Sequence, residues 1–411
     1  MNNLHFTRYW ILLFFSLPIL LFAKNPKPAI LIYGSTMEAY IAALQSASSG
    51  VPTLWVNPKS YSFEQDNFNT ISAANLLDGG VTLQFINNKS GKADSTNSFF
   101  QDGKKQSYNV LTKDHFLLTV LNSEDVIKIE RAKSWKVTLS NKKNYDVRVV
   151  LDASDGSTLL QKTTLNDLPT FTYSKVKDIN LVKSRALVLV GEVEDGIYVS
   201  TLTDMMTQKD NFFVNNLADF TVEVSKSFRV SYAQAMGAIA GYCAFFKTTP
   251  DKIDLRTLQN ELLMFRSRLL PTVDVSYQDK NFMSLQRMYL AGILPLRMRE
   301  NKAVFDLEDS VRVVDIKSVV NQYYSRAQLW FVDNNPEYLT VQDALNLIKF
   351  TAFRGEELDQ EVKRKWTKEL TFKSEFEPLK AISRYEFAVL FDKYAAPFVK
   401  KVSQEGATIN R

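Results

Sequence analysis

Ala29 to Tyr33 reads AILIY, an apolar run without polar alternation, which predicts a strand covered on both faces. Gly34 breaks the run. MEAYIAALQSASSG follows with small residues at Ala39, Ala42, Ala43 and Ala47, a helix able to lie close to a sheet and to stop at Gly50. Thr53 to Asn57 is a second buried strand, so the unit reads as strand, turn, helix, parallel strand, with a phosphate-binding position at the helix N-terminus. Further on, SRALVLVGEV and GIYVSTL read as hairpin strands within a short β-rich segment, 163–226. AIAGYCAFF is an apolar helical run. After Leu270-Pro271 the pattern changes to short amphipathic helices separated by turns, and a boundary is placed there. One helix is expected from about Asn281, followed by LAGILP and a second helix. KAISRYEFAVLFDKYAAPF repeats the end of that build, with an apolar stripe at Phe387, Leu390, Phe391 and Tyr394, and LTVQDALNLIKFTA is a weaker middle copy. The polar run from Gly355 to Pro378 reads as a solvated helix face, and the tail after Lys401 is expected to fray.

The first residues carry Arg8, an apolar run from Trp10 to Phe22 and a small residue at Ala23, the build of a secretory signal; a retained anchor is the alternative. The apolar run falls short of the roughly 20 residues a bilayer span needs, and no second one follows, so an exported mature chain without a membrane span is expected. The expected organisation is a signal at 1–23, a Rossmann-like α/β domain at 24–270 with its small β-rich insertion, and a small, mainly α domain at 271–411. At 411 residues, 45% hydrophobic and 23% charged, the chain has material for two packed domains. Its net charge of +5, from 50 basic and 45 acidic residues, is spread without a dense basic block, which argues against a nucleic-acid partner. Cys243 is the sole cysteine, so no internal disulfide exists, and its apolar neighbours mark it as packing. With His5 in the signal, His115 is the only histidine of the mature chain, which leaves no basis for a His triad or His-rich metal site.

The dinucleotide fingerprint G-x-G-x-x-G/A falls on Gly34, Thr36 and Ala39. The Thr36 hydroxyl could donate to phosphate. Glu38, in the first helical turn, would repel one. Asn57 stands where an acidic residue accepts from ribose hydroxyls, and it offers a weaker acceptor. YGSTMEAYIAA resembles, through Gly34, Thr36 and Ala39, the YGGTPAGIAAA-type turn that opens the secreted FAD-dependent oxidoreductases of bacteria, a family in which Thr commonly replaces the second glycine. NLLDGGVTLQF, VRVVLDASDGSTLL and RVSYAQAMGAIAGYCAFF resemble, in order, the family's later segments. The resemblance implies bound FAD, hydride or electron transfer on a small-molecule substrate, and cofactor contacts from Gly34, Ser35, Thr36, Ala39, Asn57, Asp152, Ser154, Gln234 and Gly237. It singles out no catalytic residue, although Tyr61, Tyr108 and Tyr232 offer hydroxyls. For Gln234 and Gly237 the choice is between flavin contact at a helix start and plain helix packing; for Asp152, between cofactor contact and turn-capping.

The chain departs from that family in three places. KSYSFEQDNFNTISAA has no glycine where the family's loop is Gly-rich, Asp155-Gly156 inverts a Gly-Asp order, and the substrate domain shrinks to the 163–226 segment. A non-catalytic descendant is therefore the alternative. The C-terminal third resembles S-layer homology modules, with Ser383, Arg384 and Glu386 near their Thr-Arg-x-Glu turn, which implies a cell-envelope polysaccharide partner. Arg384 then either engages an anionic glycan or lies in solvent beside a Ser383–Glu386 capping box.

Overall fold

The structure is a computed structural model that describes residues 26–62, 77, 79–81, 116–193, 196–215, 225–300 and 302–409. The signal segment, Tyr108, His115 and most of the glycine-free loop lie outside these residues.

Strand β1 (Ile30–Tyr33) is buried along its length, and its side chains divide between two cores. Ile30 and Ile32 join one cluster, Leu31 and Tyr33 the other, as the period of two requires for a strand covered on both faces. Helix α1 (Met37–Ser48) returns the chain to β2 (Thr53–Asn57), parallel to β1. Strand β3 (Leu118–Asn122) extends the sheet. The antiparallel meander β4 (Val126–Arg131), β5 (Trp135–Leu139) and β6 (Asn144–Val147) then crosses one face, and β7 (Val149–Asp152) pairs parallel to β1 on its other side.

In the following segment, β8 (Ser174–Lys175), helix α2 (Leu181–Arg185), β9 (Leu187–Val193) and β10 (Gly196–Thr201) form a small sheet ordered β8-β10-β9. The expected hairpin is β9–β10. The segment's last hairpin, β11 (Gln208–Lys209) and β12 (Phe212–Val214), joins the main sheet instead, where β12 pairs parallel to β7. The main sheet thus runs β11-β12-β7-β1-β2-β3. Its parallel strands, numbered by their order in the sheet-forming chain, give 3-2-1-4-5, a doubly wound Rossmann-like α/β fold whose direction reverses between β1 and β7.

Helix α3 (Lys226–Phe246) lies along α1, and α4 (Leu255–Met264) follows. At their crossing Gly237 meets Ala42 so closely that an added Cβ would stand 2.6 Å from the Ala42 carbonyl oxygen. Cys243 is buried in α3, and burial pushes its thiol up to about 12. No helix of the described residues is long and apolar enough to cross a membrane.

Beyond Pro271 come α5 (Phe282–Leu290), the hairpin β13 (Arg297–Arg299) and β14 (Lys302–Val304), then α6 (Val313–Tyr323), α7 (Ala327–Asp333), α8 (Val341–Ala352), α9 (Glu357–Lys365) and α10 (Arg384–Tyr394). Three of these helices start from one closed ring. Val311 N donates to Ile382 O at 3.1 Å, Ile382 N to Leu339 O at 2.9 Å, and Leu339 N to Val311 O at 3.0 Å. Two residues on, Val313, Val341 and Arg384 each donate backbone N–H to Glu337, Lys380 and Asp309. The repeated stretches are therefore related by a pseudo-threefold axis through the N-termini of α6, α8 and α10. Thr340 with Asp343, and Ser383 with Glu386, close capping boxes, while Arg312 pairs with Asp315 at 2.7 Å in the third position.

The buried side chains on either side of Pro271 belong to one core. Arg256 donates to Leu290 O at 3.2 Å, Arg185 to Ala291 O at 3.2 Å, and Gln259 to Arg185 O and Leu187 O at 2.9 Å. The tail is not frayed: Val402 bridges Thr408, and Gln404 Nε2 donates to Pro250 O at 2.8 Å and Ile253 O at 3.0 Å.

Candidate functional site

In a doubly wound sheet a ligand enters where the strand order reverses, beyond the carboxyl ends of the strands. Here that place lies past Tyr33 and Asp152, which face each other in register. Gly34, at φ +141°, makes the turn; a Cβ there would stand 2.7 Å from Ala153 O, so the position takes only glycine. Thr36 is the N-cap of α1. Its hydroxyl accepts from Ala39 N at 3.1 Å and donates to Ala153 O at 2.7 Å, so both functions are engaged within the protein. Ser35 Oγ accepts from Lys59 N at 2.8 Å, tying the turn to the end of β2. Ala39 is buried against the core.

The expected repulsion by Glu38 is answered inside the fold. Its carboxylate, 3% exposed, receives Arg229 Nε from α3 at 2.5 Å. An acid in the first turn also suits the positive end of the helix dipole, so Glu38 is an internal anion already matched with a cation.

Asn57 does not face a ribose. It is 0% exposed; its Nδ2 donates to Tyr61 O at 3.0 Å and Asn122 Oδ1 at 2.8 Å, and its Oδ1 accepts from Tyr61 N at 2.8 Å. It latches the loop after β2 to the end of β3. Asp152 is likewise a turn cap: its carboxylate accepts from Ser154 N at 3.1 Å, Ser154 Oγ at 2.5 Å and Leu160 N at 2.8 Å. Burial pushes this carboxyl up from the usual aspartate range, against the pull of those hydrogen bonds. Ser154 in turn accepts from Thr158 N and Oγ1, both at 2.9 Å.

Gln234 and Gly237 are not at a helix start, because α3 begins at Lys226 with Ser225 as its cap. Gln234 Nε2 donates to Gln45 Oε1 at 2.9 Å, and Gln234 Oε1 accepts from Val81 N at 3.2 Å. Gly237 is the close-approach point described above, and its carbonyl accepts from Ser46 Oγ at 2.9 Å. Of the available tyrosines, Tyr232 is sealed in the core with its ring 4.9 Å from that of Phe171, and Tyr173 and Tyr198 continue the aromatic packing between α3 and the small sheet. The structure thus brings Gly34, Ser35, Thr36, Ala39, Asp152 and Ser154 together around one pair of turns, with Asn57 at the neighbouring strand end, and leaves Gln234 and Gly237 in the α1–α3 interface.

Tyr33, unremarked in the sequence, donates its hydroxyl to Asp125 at 2.7 Å, and Lys162 Nζ reaches the same carboxylate at 3.1 Å. Burial foremost, then the Asp125 carboxylate, pushes the phenol well above its ordinary range, so it serves as a hydrogen-bond donor and holds no proton ready to leave. Tested against FAD, only the Gly34 turn keeps the geometry the cofactor needs. The side chains expected to receive its ribose, phosphates and ring are satisfied internally.

No family pattern matches the sequence, and a search of curated proteins finds no relative. Among solved structures, the bacillithiol disulfide reductase of Staphylococcus aureus is similar at 17% identity and a TM-score of 0.21, over 38% of this chain and 44% of that one, less than half its length. PqsL, a probable FAD-dependent monooxygenase from Pseudomonas aeruginosa, is similar at 8% identity and 0.29, over 65% of this chain and 96% of that one. L-proline dehydrogenase from P. horikoshii is similar at 9% and 0.30, over 58% and 98%. Likenesses this distant carry nothing about chemistry; the fold, α/β with a Rossmann-like sheet of the FAD/NAD(P)-binding kind, rests on the strand order and βαβ unit of this chain itself.

Proposed function

We propose that the protein is an exported, non-catalytic descendant of the FAD-dependent oxidoreductases, in which the dinucleotide fold serves as scaffold for a cell-envelope or glycan-binding protein. One observation carries the first part: Asn57, at the ribose-reading position, is sealed from solvent with both its amide nitrogen and its oxygen engaged by Tyr61 and Asn122. The pseudo-threefold ring of α6, α8 and α10 supports the second part, since it is a rigid, repeated module in a region that resembles envelope-binding modules. Arg384 is not the glycan contact. It is 1% exposed and donates to the carbonyls of Phe305 at 2.7 Å and Pro295 at 2.6 Å, so neither a surface ligand contact nor a solvent position describes it.

The test is to purify the mature protein, record its visible spectrum, and follow its melting while FAD is added. Colourless protein with an unchanged melting temperature is expected, together with retention of the full chain on isolated cell-wall polysaccharide. A ligand at a hundred times its Kd stabilises by about 2.7 kcal/mol, so binding would be plain in the melt. Flavin bands or such a shift would reject the scaffold reading.

The second reading, hydride or electron transfer on a small-molecule substrate by bound FAD, is favoured by Gly34, whose positive φ and close approach to Ala153 preserve the turn that the cofactor requires. The same spectrum decides between the two.

A further inference from the structure

At the opposite end of the sheet from Gly34, where the parallel strands begin, five cations converge on one cleft of about 230 Å³. Arg131 and Lys133 come from the β4–β5 turn, Arg148 from the start of β7, Lys247 from the C-terminal end of α3, and Lys252 from the turn beyond it. Asn211, Thr248 and Thr249 complete the lining, with Asn211 Nδ2 donating to Thr248 O at 3.0 Å, and no carboxylate belongs to it. Arg131 touches the Trp135 ring at 5.3 Å and the Lys133 carbonyl at 3.5 Å. Among the described residues, none of the five makes an ion pair with an acid.

The arrangement is not explained by the general charge of the protein. With 50 basic and 45 acidic residues, a random patch of five cations would meet acids, and elsewhere on this surface several basic side chains do: Lys349 with Glu356 and Asp359, Arg354 with Glu361, Arg297 with Asp315. Nor does the negative end of the α3 dipole explain it. That effect fades within the last turn and would account for Lys247, yet Arg131, Lys133 and Arg148 arrive from the end of β4, the β4–β5 turn and the junction before β7. Like charges gathered in a concave site repel each other and raise the local positive potential, a cost to the fold and an attraction for anions.

We propose that this cleft binds an oxyanion of the phosphate or sulfate class. Arginine offers such a group paired donors, lysine a point charge, and the threonine hydroxyls neutral donors, the mixture suited to tetrahedral oxygen atoms. The volume admits one or two such groups and is below the 300 Å³ or so at which pockets for whole drug-sized ligands begin. The site stands apart from the proposed function, because it needs neither the switch point nor the helical ring, and its outcome says nothing about flavin.

Titration calorimetry of the full mature chain with pyrophosphate, at constant ionic strength, tests it, with retention on immobilised dextran sulfate as the polymer arm. The triple variant Lys133→Gln, Arg148→Gln, Lys252→Gln removes one cation from each of three elements. A second triple variant, Lys363→Gln, Arg364→Gln, Lys368→Gln, removes the same charge from the exposed face of α9 and the turn after it. Binding by wild type, weakened at least tenfold in the cleft variant and within twofold of wild type in the other, is the expected result. Saturation by pyrophosphate identifies a site for free anions; retention on dextran sulfate alone identifies one for polymer-borne groups. No binding in either arm, or equal loss in both variants, overturns the proposal; circular dichroism and melting confirm that both variants are folded.

Discussion

Replacing Gly237 by alanine tests the packing role of this residue against the flavin-contact role. In an exposed helix interior alanine is favoured over glycine by about 0.8–1 kcal/mol. At Gly237 the new Cβ would meet Ala42 O at 2.6 Å, Ala42 Cα at 2.8 Å and Ala42 C at 3.1 Å, all backbone atoms that cannot rotate away. Relief requires α1 and α3 to separate, and overpacking of this kind costs about 1–3 kcal/mol. The Ser46 Oγ bond to Gly237 O would weaken as well, by about 0.5–1.5 kcal/mol. The sum favours destabilisation by about 0.5–3.5 kcal/mol. Gly241, one turn on, supplies the control: its Cβ would find Ser46 no closer than 3.5 Å, an ordinary contact, so Gly241→Ala keeps the propensity gain and stabilises by about 0.5–1 kcal/mol. Urea midpoints at unchanged slope read both differences. Opposite signs are expected. A Gly237→Ala protein as stable as wild type would refute the packing argument, and one that is stable but loses bound flavin would restore the cofactor role.

Three further outcomes follow from the same geometry. Asn57→Asp, which restores the acid of the dinucleotide pattern, would aim a carboxylate at Tyr61 O and Asn122 Oδ1 in a sealed site; a loss of about 3 kcal/mol in urea unfolding and no gain of FAD binding are expected, and a stable, flavin-binding variant would contradict this. Arg384→Ala removes two charge-assisted bonds to Phe305 O and Pro295 O, while relieving the desolvation that, with Arg297 nearby, lowers this guanidinium to about 10; a net loss of about 2–4 kcal/mol is expected in thermal melts, and unchanged stability would show that the ring stands without it. Against the desolvation that raises them, hydrogen bonds from Ser310 and Arg297 hold Asp309, and those from Arg312 and Arg297 hold Asp315, below the usual aspartate range. Their stabilisation is fully present above about pH 4 and is lost as pH falls through the lower folded values, so an Asp309→Asn, Asp315→Asn variant should show a shallower acid melt than wild type, and equal slopes would exclude these groups.

The opening unit was legible because its evidence is local. An unbroken apolar strand, a single glycine and a run of alanines specify β1, the turn and α1, and Ser383 with Glu386 three residues on specifies the cap of α10. What escaped depends on partners distant in sequence. The cation that matches Glu38 lies 191 residues away, and the amide that closes on Asn57 lies 65 away. The resemblance of RVSYAQAMGAIAGYCAFF to a closing helix places Gln234 at a helix start; the Ser225 cap sets the start eight residues upstream and carries Gln234 into the interior. Both sequence readings of Arg384 put it at the surface, yet the segments on either side of the β13–β14 hairpin supply the carbonyls of Pro295 and Phe305, which no local pattern reveals.

Under the scaffold reading, a dinucleotide fold without its ligand cannot simply leave the crevice vacant, since buried polar groups without partners each cost about 1–3 kcal/mol. Either the crevice stays wet and open, or the chain closes it with its own donors and acceptors. At Asn57 the second course has been taken, with three hydrogen bonds inside a sealed site. To admit a ribose there, those bonds must break, and at about 1 kcal/mol each the closed state is favoured by roughly 3 kcal/mol. Any dinucleotide affinity intrinsic to the turn would then be reduced about a hundredfold, because each 1.4 kcal/mol is a factor of ten. The Gly34 turn can therefore persist for a reason unrelated to phosphate: its close contact with Ala153 and the Thr36 bond to the same carbonyl join the two halves of the sheet where their strand order reverses. The same residues that would cradle a cofactor thus fasten the end of β1 to the turn after β7.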